Sequence, residues 1–285
     1  MSVVIVGATG HLGRLTVEEL LERGTPAEGI VAAGRDAGRL AALAERGVRT
    51  ARVDLDDPAT LAPAFAGADT LLLISTSEPG RRVPQHRAAI EAAAAAGIGH
   101  IVYTSAPRAD DTVLVLAPDH RATEELLAAS GIAHTVLRNN WYHENYVPQL
   151  HAARDHGEFS GSAGQGRVPS AARRDFAAAA AAVLADPASH AGAVYELTGD
   201  TAWTYAELAD TLSAVLGTEV VYKDLSTEEH VASLVGAGLD EGTASFVAAL
   251  DGNIRDGALG EPTGDLRRLI GRPATPIADT LRDLL

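Results

Sequence analysis

An α/β fold, a doubly wound parallel sheet with a smaller α+β lobe interwoven toward the C-terminus, is what these 285 residues predict. Three observations carry that expectation. Apolar runs alternate with helical patterns along the first half of the chain, as a parallel sheet with crossover helices requires. The chain opens on SVVIVGATGHLG, an apolar strand followed by a glycine turn and a helix start. Several helical stretches stop at a glycine (Gly24, Gly47, Gly97, Gly131), the residue that best tolerates the left-handed helix end.

Residues 2–6 read as the first buried strand, and Gly7, Gly10 and Gly13 turn the chain into a helix over 12–23. A helix N-terminus carries unpaired N–H groups and the positive end of the dipole, and glycines leave room for a pyrophosphate against it. Gly7, Ala8, Thr9, Gly10, His11 and Leu12 are therefore the expected phosphate cradle. A glycine turn that merely packs the helix on the sheet is the competing reading.

Further strands are expected at 30–33, 49–54, 69–75, 100–104 and 134–138, with helices near 36–46, 58–66, 83–96 and 119–130. Ligands of such sheets lie outside the carboxyl ends of the strands, so the residues leaving each strand matter most. Arg35 follows the second strand, where an acidic residue would favour NAD and an arginine favours the 2′-phosphate of NADP. Arg39, one turn on, either assists or is solvated. Asp54 and Leu55 leave the third strand, Asp54 either touching the adenine edge or capping the helix entered through Pro58. Ser75, Thr76 and Ser77 leave the fourth, small enough for close approach to the ribose and nicotinamide. Tyr103 and Ser105 border the end of the fifth. Asn139, Asn140, Trp141 and Tyr142 leave the sixth, two amides and two aromatics better suited to a pocket wall than to a solvated loop.

Beyond about residue 145 the texture changes. A Gly/Ser-rich stretch at 157–166 predicts a turn or hairpin, with helices near 175–185, 204–216 and 227–238 and isolated strands at 193–197 and 219–223. Residues 251–264 read as a loop. The expected division is a dinucleotide-binding domain over 1–145, to which later segments contribute, and a cap lobe over 146–285. Asp175 reads as the cap of the alanine-rich helix that follows it.

Composition narrows the function. There is no cysteine, so no disulfide, thiolate catalysis or cysteine metal site. His151 and His156 are five apart rather than on one helix face, and no metal is expected. No GxSxG elbow exists. The net charge of −15 disfavours nucleic acid and anionic membranes, and 22 arginines against one lysine, Lys223, with long alanine runs, suggest a GC-rich genome. No basic leader and no charge-free apolar stretch of about 20 residues is found, and a cytoplasmic location is expected.

The segments GATGHLG, LLLISTSEPGRRVPQHRAAIEAA, HIVYTSA, TVLRNNWYHENY, RRDFAAAAAAVL and YELTG, with the closing stretch 271–276, resemble the NmrA-like branch of atypical short-chain dehydrogenases over essentially the whole chain. Within it they look most like the NADPH-dependent quinone oxidoreductase 2 type, with triphenylmethane-dye reductases also similar. The resemblance implies a Rossmann-type fold, NADP(H) as cofactor, and residues 7–12, Arg35, 75–77 and 139–142 as its border.

No tyrosine is followed four residues later by lysine, so the usual Tyr-x-x-x-Lys proton donor of short-chain dehydrogenases is missing. Where isoflavone-reductase-like relatives keep a lysine, eleven residues before the glycine at a helix end, counting back from Gly131 gives His120. It is expected either to act as an acid or to hold the nicotinamide ribose, against the alternative of an idle helix residue. Tyr142 and His143 are the other candidate donors. A quinone needs little acid help, because hydride addition leaves an aromatic phenolate, whereas a plain ketone would leave a basic alkoxide. The expected partner is a small aromatic or quinone-like substrate, and a homodimer is compatible with the sequence. Another NADPH-dependent ketone, imine or dye reductase and a non-catalytic NADP(H) sensor stay open.

Overall fold

The computed structural model describes residues 2–78 and 80–285. Strands are numbered in chain order. β1 (Val3–Val6), β2 (Ile30–Gly34), β4 (Thr70–Leu73) and β5 (His100–Ser105) are buried along their whole length. An apolar run without alternation forms a strand when helices cover both faces of the sheet. With β3 (Arg49–Arg52), β6 (Ala133–Asn139) and β8 (Val194–Leu197) they make a seven-stranded parallel sheet ordered β3-β2-β1-β4-β5-β6-β8. Val3 lies opposite both Ile30 and Thr70. The strand order reverses between β1 and β4, so the loops leaving these two strands diverge and open a crevice.

Successive residues of β1 serve opposite faces. Val3 and Ile5 pack with Leu12, Val17 and Leu20 of α1 (His11–Glu22) and with Phe176 and Val183 of α7 (Arg173–Ala185). Val4 and Val6 pack with Phe65 of α3 (Leu61–Phe65), Ile90 of α4 (Arg82–Ala96) and Leu127 of α5 (Ala117–Ala129). The alanine run in α7 has a packing role: its small side chains let the helix lie buried against α1 and the sheet.

Several expectations are corrected. Residues 193–197 are no isolated strand: β8 pairs with β6, Val136 opposite Val194. Residues 157–166 form no hairpin, because β7 (Glu158–Gly161) pairs in parallel with β9 (Val221–Asp224), Glu158 opposite Val221. A parallel pair requires a long crossover, which α7, β8 and α8 (Tyr205–Leu216) supply. The first five residues of the expected loop 251–264 end a helix, α10 (Glu241–Arg255), and Asp251 is buried there. Asp175 does not cap α7. The Arg173 N–H at its start donates to Glu144 at 3.0 Å, while Asp175, fully buried, accepts from the Thr275 N–H at 2.7 Å and pairs with Arg272 at 2.7 Å.

A second core joins Tyr146, Phe159, Trp203, Tyr205, Ile254 and Leu281 between α6 (Val147–His156), α8, α10 and α12 (Ile277–Asp283). The chain leaves the sheet after β6, returns with α7 and β8, and leaves again. Leu266 of α11 (Asp265–Ile270) brings it back to the sheet core. Among the described residues no helix is long and apolar enough to cross a membrane.

Candidate functional site

The site begins where β1 ends. Gly7 has φ +90°, a conformation L side chains rarely adopt, and its N–H and that of Ala8 both donate to the Ala33 carbonyl. A Cβ at Gly13 would stand 2.2 Å from the Gly7 carbonyl oxygen, so the helix can start this close to the turn only with glycine there. Gly10 offers no side-chain cap to α1. The N–H groups of His11, Leu12 and Gly13 have no partner among the described residues, leaving the helix terminus free for an anion.

Two cavities of about 440 Å³ each meet at this turn and share Gly7, Gly10, Ile74 and the three residues Ser75, Thr76 and Ser77. The first runs toward β2 and β3. Thr9, Arg35, Arg39, Asp54, Leu55, Glu78 and Gln85 line it. Arg35 is 64% exposed and faces Glu78 at 3.2 Å. Arg39 donates to the Thr9 carbonyl at 2.8 Å, tying α2 (Ala37–Ala44) to the glycine turn. Asp54 does not cap the Pro58 helix, a role taken by Asp57 through the Ala59 N–H. The Asp54 carboxylate instead accepts from the Asp56 N–H.

The second cavity runs over β4, β5 and β6, and His11, Leu12, Arg82, Ser105, His120, Asn139, Asn140, Trp141, Tyr142 and Arg173 are among the residues lining it. The loop after β4 is held from beneath: the Thr76 N–H donates to His86 Nε2 at 3.2 Å and Arg82 Nε donates to the Thr76 carbonyl at 2.8 Å. His86 Nδ1 in turn bonds Thr123. Burial and the Arg82 guanidinium lower His86 to about 3, so it stays a neutral acceptor for that N–H.

At the exit of β6, Asn140 Nδ2 donates to the distant Leu259 carbonyl and Asn139 Nδ2 to the Tyr142 hydroxyl. The Tyr142 ring packs edge-on to Phe176 at 5.1 Å, with the Arg173 guanidinium 5.0 Å from its centre. Burial pushes its hydroxyl up. Arg138 points elsewhere, into a cluster with Glu124, Asp110 and Glu196 at 2.7–2.9 Å.

Not every expected residue meets the cleft. Ala8 lies wholly in the core, and only its backbone serves the turn. Tyr103 is also fully buried, its hydroxyl 2.8 Å from His120 Nδ1, because residue alternation along β5 turns its ring away from the cleft and under α5. His143 is spent on Thr280 and the Ser170 carbonyl and lines neither of these two cavities. Burial lowers it to about 4. His120 does line the cleft, but burial and Arg82 lower it to about 3, so it is not the near-neutral acid its type suggests. Sequence reading missed Glu78, Arg82 and Arg173, each a charged residue beside a segment already singled out.

Among the described residues, two buried oxygens lining the second cavity, Thr76 Oγ1 and Asn139 Oδ1, have no hydrogen-bond partner. Buried polar atoms in native folds are nearly always satisfied, so these two mark places for ligand hydrogen bonds. Together with the free N–H groups of α1 and with Arg35, they suit a phosphorylated dinucleotide lying across both cavities.

Residues 7–187 match the family described as NAD(P)H-binding. Over 282 residues, 99% of this chain and 98% of its relative, the sequence is 45% identical to quinone oxidoreductase 2 of Escherichia coli (strain K12). The crystal structure of an NADPH-dependent quinone oxidoreductase from Escherichia coli, complexed with NADPH, superposes with a TM-score of 0.95 over 99% of both chains at 45% identity. The Citrobacter sp. triphenylmethane reductase complexed with NADP(H) gives 0.94 over the full length of both at 36% identity.

Proposed function

The chain belongs to the NAD(P)H-binding family, and from that membership we propose an NADPH-dependent oxidoreductase that delivers hydride to a quinone-like acceptor held against Trp141 and Tyr142. Reduced nicotinamide supplies the hydride. The free N–H groups of α1 would hold the pyrophosphate, Arg35 and Arg39 would serve the 2′-phosphate, and Thr76 Oγ1 and Asn139 Oδ1 would accept from the nicotinamide half.

The observation that carries this reading is the proton inventory of the cleft. His120 is lowered to about 3 and the Tyr142 hydroxyl is raised, so neither is a ready acid at neutral pH. Two guanidiniums, Arg82 and Arg173, line the same cavity and supply fixed positive charge instead. Such a site stabilises a developing phenolate by electrostatics and leaves its protonation to water. It serves a quinone, or a dye whose reduced form is equally stable, and serves a simple ketone badly.

The test is NADPH consumption by purified protein against quinones, triphenylmethane dyes and simple ketones. Turnover of quinones above ketones by at least a hundredfold in kcat/KM is expected. Comparable ketone turnover would remove the quinone assignment, and NADPH that binds without ever being consumed would remove the enzyme reading in favour of a sensor.

A further inference from the structure

The interior behind the second cavity contains a paired phenol and imidazole whose orientation has a chemical consequence. Tyr103 belongs to β5 and His120 to the first turn of α5; the phenol oxygen and imidazole Nδ1 are 2.8 Å apart, and both residues are at most 5% exposed. A buried hydroxyl must place its hydrogen or lose the energy of a hydrogen bond. His120 Nδ1 is the partner within hydrogen-bond distance of the Tyr103 hydroxyl among the described residues. Nearby Thr123 already accepts from His86 and donates to the Asp119 carbonyl. If Nδ1 carried the proton instead, it would donate to the phenol oxygen, and the phenol hydrogen would have to turn to Thr123 Oγ1, with which the phenol makes no well-aligned hydrogen bond among the described residues. The phenol therefore donates, Nδ1 accepts, and the imidazole proton resides on Nε2. That nitrogen has no partner among the described residues, and His120 lines the cleft.

We propose that Tyr103 is a positioning residue that locks His120 as the neutral Nε2–H tautomer, making it the hydrogen-bond donor to the carbonyl oxygen of the acceptor. The inference rests on the hydride-transfer reading above. During the reaction the acceptor gains the hydride and its two electrons, and charge grows on its oxygen. His120 contributes a hydrogen bond to that oxygen and keeps its proton, and the phenolate is protonated by water.

Burial, and after it the Arg82 guanidinium, keep the imidazole neutral. Arg82, held by Asp119 at 3.5 Å, lies near both His120 and His86, and Glu124 faces Tyr103 from α5. A neutral imidazole stabilises developing charge without the pH sensitivity of an imidazolium.

Nitrogen-15 NMR of the histidines in the whole protein, with His120→Gln to assign the signal, reads the tautomer directly and independently of turnover. The expected result is Nε2–H for His120, unchanged between pH 5.5 and 9, with kcat for a quinone flat over the same range. Tyr103→Phe is expected to mix the tautomers and lower kcat about tenfold while the NADPH dissociation constant moves less than twofold. His120→Gln, which keeps an N–H donor, should retain more kcat than His120→Leu. An Nδ1–H tautomer in the wild type overturns the proposal even if Tyr103→Phe fails to fold. Wild-type kcat and an intact tautomer in Tyr103→Phe would do the same. Absence of any quinone turnover would instead strike the function, leaving the tautomer measurable.

Discussion

Arg35 and Glu78 face each other at 3.2 Å across the first cavity, so the cation assigned to the 2′-phosphate rests against a carboxylate. An exposed pair of this kind contributes little to stability, which leaves the arginine available. Arg35→Ala should weaken NADPH binding about tenfold, the scale of a charge-assisted hydrogen bond partly screened by water, and leave NADH nearly unchanged. Glu78→Gln should strengthen NADPH a few-fold by removing the competing charge. Fluorescence titration with both cofactors decides it; equal losses for NADPH and NADH in Arg35→Ala would show that the residue does not read the phosphate. Arg35 was legible because it follows a strand that the glycine turn anchors. Glu78 was not, since nothing in SEPG says that its side chain folds back over β2. The same divide holds at His120: its position could be counted from Gly131, but its protonation depends on Arg82 and on burial.

At the scale of elements, the strand exits were readable and the joins between lobes were not. Asp175 has the residue type and position of a helix cap, yet it is fully buried and holds the segment after α11 through Thr275 and Arg272. Arg272 is 45% exposed, so losing Asp175 leaves its charge to solvent, and the cost falls on the Thr275 N–H and hydroxyl that lose their acceptor. Asp175→Ala should cost about 1–3 kcal/mol by urea unfolding at pH 7. A cost near zero would mean that the Thr275 segment finds other partners at once and the contact is superficial. Glu144, by contrast, could be removed at the price of one α7 cap. The parallel pairing of β7 with β9 was hidden for a similar reason. Two four-residue strands far apart in sequence carry no local sign of each other.

The whole molecule has a pH response written into its buried histidines. His86 and His120 are lowered to about 3 and His143 to about 4, in each case chiefly by burial, against an unfolded value near 6.5. Depressed bases are neutral in the fold, so between pH 6.5 and 4 the unfolded chain binds more protons and stability falls as the pH falls. Each such histidine contributes a slope of up to about 1.4 kcal/mol per pH unit in that window. Glu196 and Asp251, raised by burial, pull the other way at acid pH. Urea midpoints at pH 7, 6 and 5 should drop steadily, and His143→Gln should flatten the slope. Stability that held level or rose from pH 7 to 5 would contradict the burial of these imidazoles.

The sequence alone determined the parallel sheet, the glycine turn that frees the start of α1, and the exits of the second to sixth strands that meet at the crevice. These follow from local causes: unbroken apolar runs, backbone freedom at Gly7, and the rule that a strand must end where polar residues begin. Only the tertiary structure decided which of the candidate residues share the cleft, which imidazole faces it and in what protonation state, and how the second half of the chain returns to complete the sheet with α7 and β8. Those outcomes depend on burial and on charges brought together from distant segments, and burial is a property of the packed molecule rather than of any stretch of it.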